Sequence, residues 1–202
     1  DENNIALYIG DVAGHGVSAA MLTVFANQNI KPINESENSF DIISPGNVMK
    51  KLYKAFNITN YKIETYLVML YGIYNTTSRI FTYTSGGINV PPMIIKNSGE
   101  IFEMKVEGFP ICKLGRYFIP YYEDISIQMD SGDKILLYTD GLTDVKSLNG
   151  IQYSHNELKD FLEKNHSMNA LELNTAITEN LFNKLGHEKI LDDITFLIME
   201  IH

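Results

Sequence analysis

IALYIGDVAGHGVSAAM, from Ile5 to Met21, is the stretch whose reading decides the rest of the chain. It opens with an apolar run, Ile5 to Ile9, short enough for a buried strand. Gly10-Asp11 then sets a carboxylate at the end of that strand. Val12-Ala13-Gly14-His15-Gly16 is a turn punctuated by glycine, and Val17 to Ile30 can run on as a helix, with Ala19, Ala20, Met21 and Leu22 in its early turns. A strand that ends in Asp and turns tightly into a helix holds charge at the rim of a sheet. The glycines let backbone groups face a ligand with no Cβ in the way. Hard divalent cations are bound by oxygen-rich pockets of this kind.

Outward from this stretch, the pattern alternates between helix and hairpin. Lys31 to Ser44 is polar, contains Pro32 and reads as a loop. Ser44-Pro45 supplies an N-cap and a proline at the first helical position. The helix that follows, to about Phe56, buries Val48, Leu52, Ala55 and Phe56 at helical spacing. From Glu64 the period changes. TYLVMLYGIY and RIFTYTS, about Asn75-Thr76-Thr77-Ser78, predict a hairpin, and Met93 to Lys96 with Ile101 to Met104 predict another. Gly86 to Pro92 is a loop, Glu107 to Tyr121 is irregular, and Ile125 to Met129 is strand-like. KILLYTDG repeats the opening logic, with a buried strand that ends in Thr139-Asp140-Gly141. Residues 156 to 166 and 169 to 185 read as helices, and the chain closes with Leu191-Asp192-Asp193-Ile194-Thr195 and the strand FLIMEI. The pattern predicts one α+β domain over residues 1–202, with antiparallel hairpins and helices.

Three acidic positions therefore stand beside the most apolar strands: Asp11 after one, Asp140 after another and Asp192-Asp193 before a third. One reading makes them turn and cap residues, because the Asp side chain bonds local N–H groups. The other makes them converge on a shared point. Bare carboxylates brought together repel and raise one another's pKa, and divalent cations remove that penalty. An all-oxygen set favours Mg²⁺ or Mn²⁺ over zinc or copper.

Composition narrows the class. Net charge is −9, against the basic stripe that a nucleic-acid binder needs. There is one cysteine, Cys112, set between apolar residues and expected to be buried; it allows no intrachain disulfide and no thiolate zinc site. A reducing, cytoplasmic setting is expected. No apolar run reaches the roughly 20 residues that span a bilayer, so direct membrane insertion is not expected.

Taken in order, GDVAGHGVSAAM, TYLVMLYGIYNTTSRIFTYTSGGINVPPMI, GDKILLYTDGLTDV and LDDITFLIMEI resemble the bacterial PP2C-like serine/threonine phosphatases of the SpoIIE and RsbU type, within the PPM superfamily. The resemblance covers nearly the whole chain. The specific feature is the combination of GDVxGHG, YTDGLTD and DDIT. It implies a sandwich of two antiparallel sheets flanked by helices. It also implies a protein phosphoserine/phosphothreonine phosphatase with a two-metal centre of Mn²⁺ or Mg²⁺. By motif, Asp11 would bridge both metals, the Val12 carbonyl would assist, and Asp140 and Asp192 would complete the set. Gly141 and Asp193 would support it. His15 lies at a different offset from Asp11 than the general-acid His of the eukaryotic enzymes, and is read as a loop residue that shapes the turn.

Two departures qualify the resemblance. Relatives carry an upstream strand with a GGDxxD-like signature before GDVxGHG. Its absence here predicts that one or more N-terminal strands are missing, that a sheet edge is exposed and that the second metal is weak. GGINVPP stands where many relatives have AGHxPP, with Ile88 or Asn89 in place of the His. The resemblance further implies a phosphorylated protein substrate, a STAS-domain anti-sigma-factor antagonist, and an upstream sensor domain. A second copy of the chain is a further candidate partner. The competing expectation is a catalytically degenerate binding module in the same pathway, which metal-dependent phosphate release would separate from an enzyme. In this family the helices after the Asp11 loop can also act as a two-state switch.

Overall fold

The computed structural model describes residues 2–36, 39–115, 117–143, 153–185 and 193–202. In chain order these form β1 (Asn4–Val12), α1 (Val17–Asn29), β2 (Ile33–Ser36), β3 (Ser39–Ile42), α2 (Pro45–Asn57), β4 (Tyr66–Asn75), β5 (Ile80–Gly86), β6 (Met93–Ile95) and β7 (Ile101–Glu103). They continue with β8 (Ile111–Cys112), β9 (Ile125–Gln128), β10 (Lys134–Tyr138), α3 (His155–Asn165), α4 (Ala170–Leu185) and β11 (Phe196–Glu200). The pairings between these strands are antiparallel. The chain gathers into two units: residues 1–88 with 106–128, and residues 89–105 with 129–202.

In the first unit the sheet order is β1-β4-β5-β9, with β8 beside β4. β4, the continuous apolar run of the sequence, is buried from Leu67 to Tyr74. β1 pairs with β4 along its whole length and is the terminal strand of that sheet among the described residues. α2 lays Val48, Met49, Leu52, Tyr53 and Phe56 against Leu67, Met69, Tyr71 and Ile111, the i, i+3, i+4 stripe of a helix with one buried face.

Three local expectations change. Ser44 is the residue before α2 but does not cap it with its side chain. The Gly46 N–H donates instead to Oδ1 of Asp124 at 2.6 Å, a charged acceptor that suits the positive end of the helix better than a hydroxyl. The stretch expected to be a loop holds the short hairpin β2–β3, closed by the Ile43 N–H on the Pro32 carbonyl at 2.8 Å. Cys112 is half-buried rather than fully buried, because β8 is two residues long and meets only the start of β4. Burial still raises its thiol pKa.

In the second unit the sheet order is β11-β10-β6-β7. β10 is buried at every position. Leu136 and Tyr138 share one cluster with Leu158 and Leu162 of α3 and with Leu173, Ile177 and Leu181 of α4. α3 opens with a capping box: the Glu157 N–H donates to Ser154 Oγ, and the Ser154 N–H donates to Glu157 Oε2. At the turn into β10, the buried Asp133 accepts from Lys96 Nζ and from the N–H groups of Asn97 and Asp130.

Candidate active site

β1 delivers the first set of candidate residues. Its register pairs Asp11 with Val68 and Val12 with Leu67, and the Ala13 N–H extends the ladder to the Tyr66 carbonyl at 2.9 Å. Asp11 is thereby held at a strand end with its side chain exposed, while Val12 packs against the first unit's core. The chain then turns through Gly14 (φ 96°) and Gly16 (φ 76°), which lie in the left-handed region that costs other residues strain. A Cβ at either glycine would have no heavy atom within 4 Å, so this face of the turn is open. Gly16 precedes α1 with no side-chain cap, and its carbonyl accepts from the Ala20 N–H at 3.0 Å. His15 is exposed in the same turn.

β10 and β11 deliver the second set. Their register ends with Tyr138 opposite Phe196, and the Thr139 N–H adds one more bond to the Thr195 carbonyl at 3.0 Å. Asp140 then begins a 3-10 turn, Asp140–Leu142, closed by the Leu142 N–H on the Thr139 carbonyl and the Thr143 N–H on the Asp140 carbonyl. Leu142 anchors the turn in the second core. The Asp193 carbonyl oxygen occupies the space that a Cβ on Gly141 would fill. Only glycine lets the two loops approach so closely. Asp140, Gly141 and the backbone of Asp193, which come from motifs far apart in the sequence, are thus brought together within this unit. The Asp140 side chain is half-exposed, and its Oδ2 accepts from Asn89 Nδ2 at 3.2 Å.

Asp192 lies outside the described residues. Among the described residues, no group of three or more His, Cys, Asp or Glu side chains is placed to hold an ion. Asp140 brings carboxylate oxygens, and the Asp193 carbonyl packs against the neighbouring Gly141. That donor chemistry fits a hard cation such as Mg²⁺ or Mn²⁺ and does not suit a thiophilic one.

The bond from Asn89 to Asp140 leaves no local signal in the sequence. The sequence marks the GGINVPP loop as a departure and leaves Ile88 and Asn89 as alternatives. In the structure Ile88 is buried and Asn89 is exposed and bonded to Asp140. The chain from Tyr138 through His155 to Glu103 likewise leaves no local signal, since it joins three elements that no local pattern connects.

A family model described as Stage II sporulation protein E (SpoIIE) matches residues 1–202. The phosphoserine phosphatase RsbU of Bacillus subtilis (strain 168) is 24% identical over 199 residues, which cover 98% of this chain and 56% of RsbU. The chain spans about half or less of the length of the curated relatives it matches. Among solved structures, the SiaA-PP2C domain of Pseudomonas aeruginosa superposes with a TM-score of 0.79 at 20% identity, covering 98% of this chain and 80% of that one. RsbX in complex with magnesium superposes with a TM-score of 0.64 at 19% identity, covering 98% and 81%. These likenesses show that the chain has the PP2C fold. No helix among the described residues is long and apolar enough to cross a membrane.

Proposed function

Because the chain belongs to the SpoIIE family, we propose that it is a metal-dependent protein phosphoserine/phosphothreonine phosphatase. The observation that carries this reading is the meeting of Asp140 and Gly141 with the Asp193 backbone at the paired ends of β10 and β11. Those are two of the motifs on which the family resemblance rests.

In this reading residues 1–202 act as one phosphatase domain. The carboxylates of Asp11, Asp140 and Asp192 and the Val12 carbonyl would hold a pair of divalent cations, Mn²⁺ or Mg²⁺. When bound, such a pair supplies an acidified water and positive charge for the phosphoryl oxygens. The chain's own contribution is positional. Asp11 sits in the last rung but one of the β1 ladder, and Asp140 follows the end of β10 by two residues in a hydrogen-bonded 3-10 turn, which fixes where the negative charge stands. Asp193 supports the Asp140 turn through its backbone. The open face of the Gly14–Gly16 turn leaves room for a phosphorylated residue to approach, and His15 shapes that turn. Cys112 is no rival nucleophile, because burial raises its thiol pKa and so disfavours the reactive thiolate.

The substrate we propose is a phosphorylated STAS-domain anti-sigma-factor antagonist, with an upstream sensor domain as regulator and a cytoplasmic setting. The test is phosphate release from such a phosphoprotein with and without Mn²⁺. Release should require the cation and stop on chelation. Asp140→Asn should lower it by more than the roughly 10- to 100-fold that loss of a merely supporting group costs. No release at saturating Mn²⁺ would overturn the phosphatase reading and favour a binding module.

A further inference from the structure

Asn89 stands in the loop between β5 and β6, and its amide donates to Oδ2 of Asp140 at 3.2 Å. Two bonds anchor the rest of that loop. Tyr138 Oη donates to the Pro91 carbonyl at 2.9 Å, and the Met104 N–H donates to the Pro92 carbonyl at 2.8 Å. Tyr138 has one hydroxyl hydrogen, and the Pro91 carbonyl can only accept. The 2.8 Å contact between Tyr138 Oη and His155 Nδ1 is therefore completed by a hydrogen on that nitrogen. His155 Nε2 in turn lies 3.2 Å from Glu103 Oε1, which Lys159 also holds at 3.2 Å. Tyr138 is two residues before Asp140. One side chain thus fixes both the strand end that delivers the carboxylate and the loop that delivers the amide.

The amide occupies one of the two acceptor sites on Oδ2, so Oδ1 is the oxygen left freer to meet a cation. Ligands that give a single oxygen suit the tight octahedral shell of Mg²⁺, whereas Ca²⁺ takes 6–8 oxygens and readily draws both from one carboxylate. The amide is also neutral, so it orients the carboxylate without cancelling its charge. We propose that Asn89 is a positioning residue that keeps Asp140 a one-oxygen ligand and so sets a preference for Mg²⁺ and Mn²⁺ over Ca²⁺. This rests on the reading of Asp140 as a cation ligand given above.

The experiment is isothermal titration calorimetry of the chain with MgCl₂, MnCl₂ and CaCl₂. It compares the parent with Asn89→Ala and with Asn89→Leu, which is close in size but cannot donate. Asn89 is exposed, so both variants should keep the fold, which circular dichroism checks. Mg²⁺ and Mn²⁺ should weaken about 10-fold or more in both variants. Ca²⁺ should hold steady or tighten, so the ratio of dissociation constants shifts. Tyr138→Phe, which keeps the ring and loses both hydroxyl bonds, should move the ratio in the same direction. Equal weakening of all three cations, or no change in any, overturns the inference and leaves the phosphatase reading standing. A parent chain that binds none of the three overturns that reading, and this inference with it.

Discussion

Asp133 is 1% exposed at the turn into β10. Burial alone would push its carboxyl pKa up, but the Lys96 ammonium and the N–H groups of Asp130 and Asn97 outweigh that and hold it below its ordinary value. A carboxyl with a lower pKa folded than unfolded stabilises the fold at every pH above its unfolded value of about 4, and that contribution fades as pH falls through the folded value. Asp133→Asn should therefore cost about 2–3 kcal/mol at pH 7. The gap between variant and parent should begin to narrow near pH 4 and close as pH falls through the folded value; urea denaturation at pH 7 and across the acid range measures it. Gly141→Ala makes a different demand, because its new Cβ would overlap the Asp193 carbonyl oxygen. The turn must then move. Cation affinity should fall about 10-fold or more, and the melting temperature should fall as well, because the overlapped atom is backbone and Leu142 anchors the turn in the second core. Calorimetry and a thermal melt separate the two effects. The strand ends beside Asp11 and Asp140 are legible in the sequence, because in each case an apolar run stops at a turn. The role of Asn89 is not, because a hydrogen bond to a residue 51 positions away leaves no local trace.

Elements with a strong period are legible in the sequence. α2 carries its buried stripe as a 3.6-residue repeat, and β4 and β10 are apolar runs bounded by turns. What escaped was short. β2 and β3 have four residues each and β8 has two, too few for alternation to rise above composition. The cap of α2 escaped for another reason, since Asp124 reaches it from 78 residues away. α3 is capped from within its own sequence, and there a local test is clean. Ser154→Ala removes the acceptor for the Glu157 N–H and should cost about 1 kcal/mol, read from the shift of the urea midpoint. In β4, Gly72 lies under the Phe81 ring, which stacks on Tyr83 with centroids 5.7 Å apart. Gly72→Ala should cost about 1–3 kcal/mol by overpacking, and Phe81→Leu in the same chain should recover part of it.

Across the whole molecule, 25 acidic against 16 basic residues set a net charge of −9 and a pI near 5.0. Repulsion between molecules vanishes there, so turbidity at fixed concentration should peak close to that pH and clear on either side. The sequence order showed which hairpins form but not which strands join them. Nothing local says that β6 and β7 belong beside β10 and β11 rather than beside β5, which directly precedes them. That assignment divides the chain into a second unit made of residues 89–105 and 129–202, with a stretch of the first unit in between. The division has a consequence during synthesis. On the ribosome, β6 and β7 emerge before their neighbour β10 does. At roughly 5–20 residues per second, the chain from Glu103 to Lys134 takes a few seconds to appear. For that interval the Met93–Ile95 edge of a nascent hairpin stays uncovered, so the tempo of decoding just after Glu103 governs how long it is open to chaperones or to mispairing.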